Sequence, residues 1–269
     1  MAFSITGNAA AAQAYSSLLS TTNSTQKAQE QLASGKSINS AADDTSGFRV
    51  ASELNTQISL MTSASANVSE AQNLLSTGET ALSSINDLLT QIQGTISAAS
   101  DPTADLTSLA NDINSLGNEI SAIFTNTNFN SAALLSGSSM PTGGNFVFQT
   151  GVGENTTVNF GTLNTLALGS ISGSGATASN ITKIDVSSLQ TAVQNALGSI
   201  GDYEQRMTIK GNYLSSAISN AQSTVNSLTG ADTAKEQMAS TQGQIAEQIS
   251  TTMLSQLNSA PQNLLKLFQ

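Results

Sequence analysis

Three short runs contain residue types that could do chemistry. Gly35-Lys36-Ser37 has the close of a phosphate-cradling loop, where backbone N–H groups hold a polyphosphate and a lysine and a hydroxyl meet its outer oxygens. Asp43-Asp44 sets two carboxylates side by side, as a hard cation or an acid–base pair requires. Gly151-Val152-Gly153 opens like a dinucleotide-binding turn. Each is incomplete. The first has Glu30 where the leading glycine must stand and no strand ahead of it, the second has no third ligand nearby, and the third lacks its last glycine and the following helix. A turn, a capping turn and a hairpin turn are the simpler readings. The 269 residues include no His and no Cys, so the usual zinc and haem ligands, the Ser-His-Asp and Cys-His nucleophiles and any disulfide are absent. No catalytic residue, metal or cofactor is expected.

The elements around these runs are more informative. Large apolar residues return every seven positions at Leu54, Met61, Val68, Leu75, Leu82, Leu89 and Ile96, with Val50, Ala64, Ala71, Ile85 and Ile92 three or four away. Such spacing lays one helix face along other helices, and its persistence predicts a coiled-coil-like rod of about 70 Å. Asp101-Pro102 ends it, because the residue before proline is pushed out of the helical region. Leu106, Leu109, Ile113, Leu116, Ile120 and Ile123 predict a second helix, antiparallel to the first across a short connection. The heptad returns at Val186, Val193, Ile200, Met207, Leu214, Ala221 and Leu228 as a third rod. Between the second and third, Asn145–Gln149 and Thr156–Phe160 alternate about a glycine-containing turn and predict a β-hairpin, with Gly169–Gly175 a surface loop.

The ends are thinner. Phe3, Ile5, Tyr15, Leu18, Leu19 and Leu32 are the large apolar residues of the first 33, and Ile245, Ile249, Met253 and Leu257 recur in steps of four before Leu264 and Leu265. Two amphipathic helices with so little bulk are expected to be disordered in an isolated subunit and to fold against other chains, with Phe3, Ile5, Leu18, Leu19, Leu32, Ile245, Ile249, Met253, Leu257, Leu264 and Leu265 as the assembly contacts. The predicted class is thus mainly α: a long antiparallel coiled-coil-like bundle with a small β-hairpin cap, and N- and C-terminal helices that pair on assembly. Its expected divisions are residues 1–40, 41–135, 136–182, 183–232 and 233–269, namely an N-terminal helix and turn, core helices, a hairpin with a short variable region, a core helix, and a C-terminal helix.

Charged residues make up 10% of the chain, against about 25% in an ordinary soluble domain, and the net charge is −10. That balance opposes a general grip on phosphate backbones, so nucleic acid is not an expected partner. No run approaches the length of a membrane span, and Met1–Ile5 lacks the charged and apolar regions of a cleaved signal, so no membrane partner is expected.

The stretch from Gln31 to Gly47 has Leu32-Ala33-Ser34-Gly35, Ile38-Asn39-Ser40 and Ala41-Ala42-Asp43-Asp44 in order, and it resembles bacterial flagellin. Pro261-Gln262-Asn263-Leu264-Leu265 is similar to that family's ending, Thr127-Asn128-Phe129-Asn130 to its turn after the second core helix, and Phe148-Gln149-Thr150-Gly151 to its core hairpin. The likeness covers about residues 3–160 and 183–268. It implies a structural subunit, not an enzyme, that self-assembles into a helical homopolymer, the extracellular filament of the bacterial flagellum, for motility. Terminal helices would form the inner layer and the rods a surrounding one, with the usual outer insertion nearly absent. The resemblance also implies secretion through the type III export apparatus, a dedicated export chaperone on the C-terminal helix, and junction and cap proteins as neighbours. The chain departs from the family at Ser227-Leu228-Thr229-Gly230-Ala231-Asp232, where charges are usual. A hook-filament junction protein and, from another class, a secreted helical adhesin are the alternative readings.

Overall fold

The computed structural model describes residues 9–135, 141, 144–160 and 175–267, with the backbone alone at Ala10 and 258–267. In order along the chain are α1 (Ala9–Ser34), α2 (Thr45–Ala98), α3 (Leu106–Asn126), the two-residue strands β1 (Asn128–Phe129) and β2 (Ala132–Ala133), β3 (Asn145–Gly151), β4 (Glu154–Asn159), a single 3-10 turn (Ile181–Lys183), α4 (Ser187–Thr229) and α5 (Thr233–Leu267). Gln57–Ser219 forms one compact unit, and Met1–Thr56 with Asn220–Gln269 forms another. The division falls inside α2 and α4, where the heptad runs on without interruption.

In the unit Gln57–Ser219, α2 and α4 lie antiparallel. Val68 stands beside Gly211, Gln72 donates to the Thr208 hydroxyl at 3.5 Å, and Gly78 faces Ile200, so climbing one helix descends the other. Val68, Leu75, Leu82 and Leu89 from α2 are buried, together with Val193, Ile200, Met207 and Leu214 from α4, while Met61 and Ile96 are half-buried against the same cluster. Leu54 is half-buried in the other unit. Asp105 starts α3 by accepting from the Thr107 and Ser108 amides, satisfying donors that the first turn leaves open. This helix turns Ala110, Ile113, Gly117, Ile120 and Phe124 inward. It is antiparallel to α2: Leu109–Leu116 border Gln91–Ala98, and Ile123–Asn128 border Ser76–Ser84. The β1–β2 turn uses Asn130 and Ser131 at φ 47° and 67°, the left-handed pair that a tight hairpin needs.

β3 and β4 form the expected hairpin, with Gly153 at φ 78° in its turn. The hairpin flanks the helices rather than capping an end. Asn67 donates to the Gln149 carbonyl at 3.0 Å, and Phe160 lies against α2 so closely that a Cβ at Gly78 would stand 2.9 Å from its ring. Phe146 and Phe160 meet edge to face at 5.9 Å, and the Thr150 and Thr156 hydroxyls bond each other in the buried layer beneath. Bulk from the hairpin thus fills what small residues leave open on α2, which is why it lies along the helix. Of the expected loop Gly169–Gly175, only Gly175 is among the described residues.

The solvent face of α2 has few charges and many hydroxyls. Thr62, Ser69, Thr77, Thr80, Ser84 and Thr90 each donate to the carbonyl four residues back, a local bond that satisfies the hydroxyl on the helix itself.

Candidate functional site

In the unit formed by the two chain ends, α1 and α5 pair antiparallel. The pair closes along a seam of small residues. Thr25, Ala28 and Ser240 are buried in this unit, and a Cβ at Gly243 would collide with the Thr25 hydroxyl. Small residues let the two backbones approach closely, and a count of large apolar side chains overlooks that. Helix propensity offers no such clue, since serine, threonine and glycine are all poor helix formers.

The turns at the foot of the pair close it. Gly35, at φ 68°, lets the chain leave α1, and Lys36 then bridges to Gly230 as an isolated antiparallel contact. Ser37 N–H donates to the Thr229 carbonyl at 2.7 Å, Ala231 N–H donates to the Gly35 carbonyl at 3.0 Å, and Gln31 Nε2 donates to the Ser37 carbonyl at 2.7 Å. The backbone of Gly35-Lys36-Ser37 is therefore engaged with the α4–α5 junction, which accounts for its glycine without any phosphate. Gly230 is held as tightly: a Cβ there would sit 2.5 Å from the Asn226 carbonyl.

Asp43 and Asp44 serve the turn into α2. Asp44 accepts from Ser46 N–H at 3.0 Å and caps the helix, and Gly47 is needed because a Cβ there would meet both Asp44 and Ile38 at 2.6 Å. Asp43 accepts from the Asn39 and Ser40 amides and the Ser40 hydroxyl, and pairs with Lys27 Nζ of α1 at 2.9 Å. The Lys27 hydrogen bond, followed by the Ser40 and Asn39 amides, holds the Asp43 carboxyl well below the usual carboxylate range, and the same pairing raises Lys27. Among the described residues no group of three acids, histidines or cysteines could hold a metal, and no helix is long and apolar enough to cross a membrane.

What remains on this unit is an apolar surface left exposed among the described residues. Leu19 on α1 and Ile245, Ile249 and Met253 on α5 are about half exposed. Leu18, Leu32 and Leu257 are half-buried; Phe3 and Ile5 lie outside the described residues, as do the side chains of Leu264 and Leu265. Tyr15, four residues before Leu19, and Met238, seven before Ile245, are exposed as well and extend these faces by one and two turns. A helix pair that keeps its small residues inside and its large ones outside is built to be covered.

A family model described as the bacterial flagellin N-terminal helical region matches residues 5–140, and one described as the bacterial flagellin C-terminal helical region matches residues 181–268. The flagellin of Bacillus subtilis (strain 168) is 29% identical, across 98% of this chain and 99% of its own. That of Listeria monocytogenes serovar 1/2a is 28% identical, across 90% and 91%, and flagellin FlaB1 of Treponema pallidum 28%, across 90% and 92%.

Proposed function

This chain belongs to the bacterial flagellin family and is a structural subunit of the flagellar filament, and from that premise we propose that its α1–α5 pair forms the inner layer of the polymer. The exposed apolar residues of that pair carry the reading: Leu19, Ile245, Ile249 and Met253 meet other copies, joined by Phe3, Ile5, Leu18, Leu32, Leu257, Leu264 and Leu265 as the helices close around one another. Removing such side chains from water is the dominant favourable term in association. The rods of α2, α3 and α4 surround this layer, and their heptad residues, Leu54 to Ile96 on α2, hold each subunit together.

Flagellin is a structural family, and this chain works as one, without catalysis or cofactor. It leaves the cell through the type III export apparatus and takes its place in the extracellular filament, between junction and cap proteins. Before export, a chaperone covers the apolar row on α5. The seeded polymerisation of purified protein, followed by electron microscopy, tests the central claim. Long filaments growing from seeds are expected; a chain that stays monomeric on seeds and instead caps hooks would replace this reading with the junction role.

A further inference from the structure

A second exposed feature lies on Gln57–Ser219. On α4, Arg206, Ile209, Lys210 and Tyr213 fall at steps of three, one and three and share one helix face, beside a groove of about 400 Å³ against β4. Ile209 and Tyr213 are 61% and 67% exposed, while the core is already served by Ile200, Met207 and Leu214. Arg206 lies 5.6 Å from the Tyr203 ring, and Lys210 pairs with Glu154 across the groove. The result is an outward ridge in which two cations alternate with two apolar knobs, in a unit whose sequence holds three cations, Lys183, Arg206 and Lys210, against eleven carboxylates.

The same unit carries a matching hollow. Between α2 and α3 an open groove of about 570 Å³ is bordered by Gly94, Leu109, Asp112 and Leu116. Gly94 sits inside a helix, where glycine is a poor choice, and a Cβ there would touch none of the described residues, so packing among them does not require it. Asp112, Leu116 and Glu119 share one face of α3, and neither acid meets a cation among the described residues. An acid–leucine–acid face beside a vacant notch complements a cation–isoleucine–tyrosine ridge.

The geometry points to a docking contact between copies: the α4 ridge of one subunit seats in the α2–α3 groove of a second, with Arg206 and Lys210 against Asp112 and Glu119 and an apolar knob over Gly94. This rests on the filament reading and specifies one of its contacts. Ridge and groove lie at different levels, because Ile209 is beside the Val68–Gln72 part of α2 and Asp112 beside Gln91–Ala98. That separation is about 25 residues, or roughly 37 Å of helix. The contact is therefore head to tail and offset along the helix, a heterologous joint of the kind that propagates as an open filament where its rotation does not close.

The absence of cysteine makes the test direct. Ser115→Cys and Asn212→Cys in one full-length chain, polymerised and then oxidised, should give a ladder of covalent multimers; the offset of roughly 37 Å is far beyond the reach of a disulfide within one chain. In parallel, Arg206→Glu should raise the critical concentration for polymerisation about tenfold or more, and adding Asp112→Arg should restore much of it, with the monomer's thermal transition unchanged. Normal filaments without a ladder, a neutral Arg206→Glu, or a loss that Asp112→Arg does not reverse would each overturn this contact while leaving the filament reading intact. Failure of the unaltered chain to polymerise on seeds would instead overturn the filament reading itself.

Discussion

The two long helix pairs, α2 with α4 and α1 with α5, use opposite packing rules. The first buries its large aliphatics, Val68, Leu75, Leu82 and Leu89 against Ile200, Met207 and Leu214, and shows hydroxyls to water. The second buries Thr25, Ala28 and Ser240 and leaves Leu19, Ile245, Ile249 and Met253 outside. Burial of apolar area is the main source of stability, so the first pair is self-sufficient and the second becomes so only in company. Where bulk sits on a helix thus separates a subunit's own core from its polymer contacts, even when both pairs are antiparallel and long.

The comparison breaks most completely on truncation. Removing residues 1–33 or 235–269 should abolish polymerisation, seen by sedimentation, and yet leave a cooperative helical melt from Gln57–Ser219; loss of both would mean the two packing rules do not mark separable roles. Next in size, Leu82→Ala or Leu89→Ala should cost about 2–5 kcal/mol in chemical denaturation of the monomer, since each leaves a cavity in a filled core. Ile249→Ala should change that monomer stability by no more than about 0.5 kcal/mol and still raise the critical concentration for assembly. Equal losses at Leu89 and Ile249 would erase the distinction.

The seam itself gives a smaller effect. Gly243→Ala forces a methyl group onto the Thr25 hydroxyl and should destabilise the α1–α5 pair by about 1–3 kcal/mol, visible as faster amide exchange in α1 and α5 with the Gln57–Ser219 unit unchanged. Thr25→Gly in the same chain should slow that exchange again.

The smallest effect belongs to the exposed Lys27–Asp43 pair. Asp43 has a folded pKa below its unfolded value near ~3.9, so its contribution is whole above about pH 5 and is lost as pH falls through the folded value. Lys27 is raised above its ordinary ~10.4, so its contribution is whole at lower pH and is lost as pH rises through the folded value. The Asn39 and Ser40 amide resonances should stay fixed between about pH 5 and 9 and shift on acidification, and Asp43→Asn should remove the acid shift.

Much of the α2–α4 pair was legible in the sequence because leucine and isoleucine at a seven-residue period have one common explanation. The hairpin was legible for a related reason: alternation around Gly151-Val152-Gly153 fits a two-residue period and a left-handed turn position. The α1–α5 seam was not. Alanine, serine and threonine occur inside and outside proteins alike, so their spacing carries no sign of which face is buried, and Thr25 with Gly243 becomes readable only when the two helices are side by side. Placement of the hairpin was hidden for the same reason, since Gly78 reads as a weak point in α2 until Phe160 lies beside it. Asp44 as a cap followed from its position ahead of an apolar period, whereas the bond from Lys27 to Asp43 joins segments whose approach no local pattern encodes.

The hydroxyls along α2 have one more consequence. Side chains such as Thr62, Ser69, Thr80 and Ser84 are short and already bonded to their own helix, so little rotational freedom is left for a neighbour to remove. A lysine or glutamate immobilised in the same place would forfeit about 1.5–2 kcal/mol. Hydroxyls also add no fixed charge, so where they line α2 a surface laid against them displaces fewer counterions than one laid against a lysine- or glutamate-rich helix.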